Sequence, residues 1–157
     1  MFNDWQYYAI KGISKLVCQL PYAAIASFGR NLGPIVAAVM KKQRRRGIFH
    51  VVRGLGCGQG EAEHIIDSLF CNLGQSLMEI LYSPNLNTKN IANYVTLDHP
   101  ERLEAALAEN KGVIVLTGHI GNWEWMGASL SLYGYPVTTI VKRQPNDQVT
   151  RILNEYR

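Results

Sequence analysis

The segment Thr117-Gly118-His119-Ile120-Gly121-Asn122-Trp123-Glu124 holds the residues best suited to chemistry. An imidazole and a carboxylate five positions apart are the parts of a general-base pair. A carboxylate hydrogen-bonded to one ring nitrogen fixes the tautomer and stabilises the imidazolium, and the other nitrogen then takes a proton from a hydroxyl. On a regular helix this spacing puts the two side chains about 140° apart, at 3.6 residues per turn. They meet only if His119 lies in a turn before a helix and Glu124 in the first turn of that helix. Gly118 and Gly121 permit such a turn. A plainer reading fits the spacing equally: His119 as a turn residue, and Glu124 as a surface charge suited to a helix start.

Other candidates are weaker. GLGCGQG at 54–60 follows IFHVV and precedes a helix, but no frame gives G-x-G-x-x-G and no GK[ST] follows. It reads as a flexible loop rather than a phosphate or dinucleotide loop. His50, His64 and His99 are scattered without metal-ligand spacing, so no metal site is expected. Cys18, Cys57 and Cys71 form no CxxC pair and lack the basic neighbourhood that activates a thiol. Ser129 and Ser131 lack a G-x-S-x-G elbow.

The elements that would position the His–Glu pair follow from local pattern. Residues 4–40 predict two helices broken near Pro21, with a weak point at Gly33-Pro34. Residues 41–53 read as a helical or extended connector. Residues 61–82 predict an amphipathic helix, with Ile65, Leu69, Leu73, Leu77 and Leu81 recurring every four positions. Ser83-Pro84-Asn85 stops it. Pro100 suits the first turn of another helix, which Gly112 ends. Val113 to Leu116 and Val137 to Val141 read as buried strands, and 122–132 as a helix capped by Asn122. A last helix begins near Asp147. The order helix, strand, helix, strand, helix predicts an α/β fold with a parallel pair and a right-handed crossover. His119 then falls beyond the carboxyl end of the first strand, where open α/β sheets place ligands. Two strands make a poor sheet. The chain is therefore expected to be an N-terminal portion of something longer, or to need a partner that completes the sheet.

The 157 residues are 47% hydrophobic and 18% charged, which excludes wholesale disorder. Mean hydropathy is −0.07, which excludes a polytopic membrane protein. The net charge of +4 is unevenly spread: residues 1–53 carry nine basic groups and one acid, and residues 54–157 carry seven basic groups and eleven acids. A basic arm on an acidic body calls for an anionic partner. The uncharged run Leu16 to Gly29 and the nearby Trp5, Tyr7 and Tyr8 favour a membrane surface over nucleic acid. Trp5, Lys41, Lys42, Arg44, Arg45 and Arg46 are the expected membrane contacts, with the KKQRRR cluster facing anionic lipid. Ordinary buried helices are the alternative. Residues 1–53 are thus read as a membrane-associating arm and 54–157 as the start of the α/β domain.

HIGNWE has the form H-x4-E and stands between GVIVLTG and VTTIVKRQPN. It follows an apolar N-terminal segment, the KKQRRR run, the helix HIIDSLFCNLGQSLMEIL and the segment LEAALAENKG. This order resembles the lipid A biosynthesis acyltransferases (the lauroyl/myristoyl transferase family) of the lysophospholipid acyltransferase superfamily, along most of the chain. The resemblance implies a glycerolipid acyltransferase-like sheet with flanking helices, incomplete at Arg157, behind membrane-associating helices at the cytoplasmic face of a bacterial inner membrane. It implies His119 as the base for a hydroxyl of a lipid A precursor, Glu124 as its orienting partner, and an acyl-carrier-protein thioester as donor, without a cofactor or metal. Lys142 and Arg143 follow the second strand and would hold substrate phosphate; a solvated loop is the alternative for them. Trp123 and Trp125 would line an acyl groove or pack in the core. Two other readings stay open: transfer to another glycolipid or a glycerophospholipid from acyl-CoA, and a truncated, inactive membrane-binding fragment.

Overall fold

A computed structural model of the chain describes residues 4–157, so residues 1–3 of the expected arm lie outside the described residues. Seven α-helices are described: α1 Trp5–Val17, α2 Tyr22–Val39, α3 Lys41–Leu55, α4 Gln59–Tyr82, α5 Pro100–Ala108, α6 Trp123–Leu132 and α7 Asp147–Tyr156. Short 3-10 turns cover Ser83–Asn85 and Ile91–Asn93. The chain divides into two compact units. One is Met1–Asn85 with Lys142–Arg157, and the other is Leu86–Val141.

The helix boundaries follow local chemistry. Pro21 caps α2, where its missing N–H removes no bond. Pro34 lies inside α2, which continues through it. Gly56 takes a left-handed φ of 65° and ends α3, so the glycine-rich stretch shortens to a tight connection before α4. Pro100 occupies the first turn of α5, and Asn122 and Asn146 cap α6 and α7 through their side chains.

The expected α/β fold is not formed. No strand occurs among the described residues, and the fold is all-helical. The segments Val113 to Leu116 and Val137 to Val141 lie outside helices but join no ladder, and Ile114 and Leu116 are each 96% exposed. An apolar, β-branched run encodes only an extended preference. It becomes a strand when a second row of N–H and C=O groups meets it, and a lone pair of strands is marginal in water.

In the first unit, α2 packs against α4 through small residues. A Cβ on Gly33 would lie 2.6 Å from the Cα and N of Cys71, and one on Gly29 would lie 2.7 Å from the Gly74 carbonyl oxygen. Gly29 meets Gly74 and Met78 while Gly33 meets Cys71, so the helices run antiparallel. Ala37, Ile66 and Phe70 continue the contact as a small core, joined by Val36, Ile48 and Val51. Tyr22 Oη donates to the buried Glu79 carboxylate at 2.9 Å, and Gln75 Nε2 donates to the same oxygen at 2.8 Å. The face of α4 that packs is Ala62, Ile66, Phe70, Gly74, Met78 and Tyr82. The leucine stripe points elsewhere: Leu69, Leu73 and Leu77 are 47%, 43% and 53% exposed.

Helix α7 docks on α1 in the same unit. Tyr7 Oη and Lys11 Nζ donate to Glu155 at 2.8 and 3.0 Å, and the Arg151 guanidinium lies 3.9 Å over the Tyr7 ring. In the second unit, Ile91, Trp125 and Ser129 are buried. Trp125 meets Tyr94 edge-on at 5.9 Å, and Tyr133 Oη donates to the Val95 carbonyl at 2.6 Å.

Candidate active site

The turn that carries His119 is built by three residues. Ile120 N–H donates to the Gly118 carbonyl at 2.9 Å, which folds the chain back within two residues. Gly121 takes a left-handed φ of 60°, which a side chain there would disfavour. Asn122 Oδ1 accepts from Trp125 N–H at 3.1 Å and starts α6. His119 therefore sits in the turn before α6, and Glu124 in its first turn. This is the local arrangement that an H-x4-E pair requires. A carboxylate in the first turn also lies at the favourable end of the helix dipole.

His119 is exposed, and its ring meets the Trp123 ring edge-on at 4.9 Å with planes 67° apart. That contact restricts the imidazole on one side, and the residue is otherwise exposed. Trp123 remains partly accessible beside it, whereas Trp125 is 4% exposed and belongs to the core. Thr117 Oγ1 lies 3.6 Å from Met126 Sδ, a weak tie between the start of the turn and α6. Tyr135 Oη donates to Glu104 at 3.1 Å. Burial, and then that carboxylate, hold the phenol above its ordinary pKa.

The remaining expected site residues lie in the first unit. Lys142 is exposed, and its carbonyl accepts from Gln144 Nε2 at 3.5 Å. Arg143 is exposed and gives Nε and Nη2 to Asp147 Oδ1 at 3.0 and 2.7 Å. Its fork is thus committed to the first turn of α7. Trp5 is exposed on α1. Lys41, Lys42, Arg45 and Arg46 are exposed at the start of α3, while Arg44 is half-buried and grips Asp67 with two bonds of 2.7 and 2.9 Å. That guanidinium holds the Asp67 carboxyl below its ordinary pKa.

Two features escape residue-by-residue reading. The edge contact of Trp123 on His119 depends on how the turn folds, and no local pattern announces it. The close crossing of α2 and α4 does have a signal, the G-x-x-x-G spacing of Gly29 and Gly33, which marks helices that approach backbone to backbone. No single described helix is long and apolar enough to cross a membrane. One bent pair, α2 with α3 at 96°, has the length and composition when taken together.

No curated protein and no solved structure gives a significant match to the chain. The model of one protein family, described as bacterial lipid A biosynthesis acyltransferase, matches residues 1–157. The match spans the H-x4-E turn, the basic cluster and the helices between them. The chain therefore belongs to the bacterial lipid A biosynthesis acyltransferase family, and it is an acyltransferase that uses an acyl donor and a lipid A acceptor.

Proposed function

We propose that the chain transfers a fatty acyl group from an acyl-carrier-protein thioester to a hydroxyl of a lipid A precursor, with His119 as general base. One imidazole nitrogen takes the hydroxyl proton. The oxygen attacks the thioester carbonyl, the carbon–sulfur bond breaks, and the thiolate leaves with the proton returned by the imidazolium. Glu124 orients the ring and stabilises its charged form. The observation that carries this reading is the placement of an exposed His119 in the turn before α6, with Glu124 in the first turn. Acyl transfer from labelled carrier to a lipid A precursor in mixed micelles tests it. Replacing His119 with Ala is expected to lower turnover by roughly 10²–10⁴-fold, the usual contribution of a general base. Undiminished turnover in that variant would remove His119 from the reaction.

In the same proposal, the N-terminal helices dock at the cytoplasmic face of a bacterial inner membrane. Support comes from an exposed apolar flank. Arg30 of α2 reaches Asn72 and Gln75 of α4 at 3.0 and 3.4 Å, which marks the polar side of the pair. Phe28 and Val39 lie on the opposite flank of α2 from Arg30, and Leu73 and Leu77 opposite Gln75 on α4, at about 100° per residue. All four are exposed, as are Ile35 and Leu69 beside them. Such a face, next to the basic start of α3, suits an anionic lipid surface. Co-sedimentation with phosphatidylglycerol vesicles checks this, and Leu73→Glu is expected to release the protein from them while the helical content stays intact.

A further inference from the structure

The basic run at 41–46 does not form one uniform surface. Lys41, Arg44 and Arg45 line a cleft of about 690 Å³ between α2, α3 and α4. Its other walls are Pro34, Ala37 and Ala38 of α2 with Asp67 and Cys71 of α4. Lys42 and Arg46 do not line it. Pro34 and Ala38 stand one and two turns beyond Arg30 along α2.

We propose that this cleft binds the phosphate headgroup of an amphiphile, with Lys41 and Arg45 on the phosphate and the α2 wall against its apolar part. Charge is the first argument. Five of the six positions 41–46 are cationic, and they occupy the N-terminal end of α3, where the helix dipole is already positive. No acidic residue stands in that first turn, and Asp67 is the one carboxylate lining the cleft. Three lining cations against one acid leave two positive charges, and a bound anion relieves both this repulsion and the unfavourable dipole. Shape is the second argument. The volume falls in the range of small-molecule sites, roughly 300–1,000 Å³. Four lining residues carry no charge, which suits a ligand that is anionic at one end and apolar at the other. Arg44 is spoken for by Asp67 through two bonds, which leaves Lys41 and Arg45 as the cleft's cations for a ligand. Binding in the cleft requires neither His119 nor acyl transfer.

Calorimetric titration of the full chain with monomeric dihexanoyl phosphatidic acid tests it. Binding is expected, at least tenfold tighter than that of dihexanoyl phosphatidylcholine. Lys41→Ala with Arg45→Ala should weaken it at least tenfold, while Lys42→Ala with Arg46→Ala, the same change in net charge, should leave it within threefold. Ala38→Trp fills the cleft without altering charge and should weaken binding equally. Circular dichroism confirms that each variant keeps its helices. Equal losses in the two charge pairs, unchanged binding in Ala38→Trp, or no binding at all would overturn the site. Inorganic phosphate binding as tightly as the lipid would show a free-anion site and overturn the amphiphile. Leu73→Glu keeps the monomer affinity while losing vesicles, so failure of the cleft and failure of the membrane reading are told apart.

Discussion

The unit Met1–Asn85 with Lys142–Arg157 and the unit Leu86–Val141 use the same element, the α-helix, but bury their surfaces by different means. In the first, backbones approach through Gly29, Gly33 and Gly74, and Ala37, Ile66 and Phe70 extend the contact. In the second, one tryptophan is central: Trp125 is buried against Tyr94, with Ile91 and Ser129 also enclosed. The second unit also holds the two apolar runs at 113–116 and 137–141, which lie outside helices and whose side chains are largely exposed. Small residues let one long helix pair share its packing among many contacts. A single large residue concentrates it, and also positions the turn that carries His119, because α6 holds both Trp125 and Glu124. The leucine stripe and the extended runs differ in turn. The stripe lies on a helix whose backbone is satisfied internally, whereas the runs leave their backbone groups outside any ladder.

The sharpest way to break this contrast is Trp125→Ala. Loss of a buried tryptophan is expected to destabilise by about 3–5 kcal/mol. Hydrogen exchange should show α5 and α6 losing protection while α2 and α4 keep theirs; equal loss in both sets would mean that the units do not unfold separately. Gly74→Val is the counterpart in the first unit. Its new side chain meets the Gly29 carbonyl, and overpacking of this kind is expected to lower stability by about 1–3 kcal/mol, seen in the melting of α2 and α4 but not of α6.

Smaller effects sharpen the comparison. Asn122→Ala removes the side-chain cap of α6 and Asn146→Ala that of α7, each worth about 1 kcal/mol in denaturant titration. Only the Asn122 change should also lower acyl transfer, because only that cap orders the His119 turn. The least effect is a pH dependence. Hydrogen bonds first from Lys11 and then from Tyr7 hold the Glu155 carboxyl below its ordinary pKa. Its contribution is complete above the unfolded value of about 4.3 and is lost as pH falls through the lower folded value. The protection factors of α7 amides, corrected for the intrinsic exchange rate at each pH, should fall on acidification in that window, and Glu155→Gln should abolish the fall.

Much of the helical architecture was readable in the chain because its causes are local. The break at Pro21, the stop at Ser83-Pro84-Asn85, the first-turn Pro100 and the Asn122 cap all act within a few residues. The candidate site was readable to the same extent. His119 before a helix and Glu124 in its first turn follow from two glycines and one capping asparagine, whereas the edge of Trp123 on the imidazole depends on the folded turn. Arg143 shows the limit of composition: its guanidinium is engaged by Asp147, a residue four positions away whose partner choice no charge count reveals.

The sequence by itself determined where helices begin and end, where the charges gather, and which family the H-x4-E order resembles. Tertiary structure decided the rest. Periodicity marks α4 as amphipathic, but the face that packs is the one carrying Gly74, because glycine opposite glycine allows backbone contact that a row of leucines prevents. The apolar runs at 113–116 and 137–141 state a preference for extension, yet a strand is a property of two chains of hydrogen-bonding groups meeting. The division of one basic run into cleft-lining Lys41, Arg44 and Arg45 and the remaining Lys42 and Arg46 arises only where α3 turns against α2 and α4. Local bonds are written in neighbouring residues, and packing between distant ones is fixed only when the chain folds.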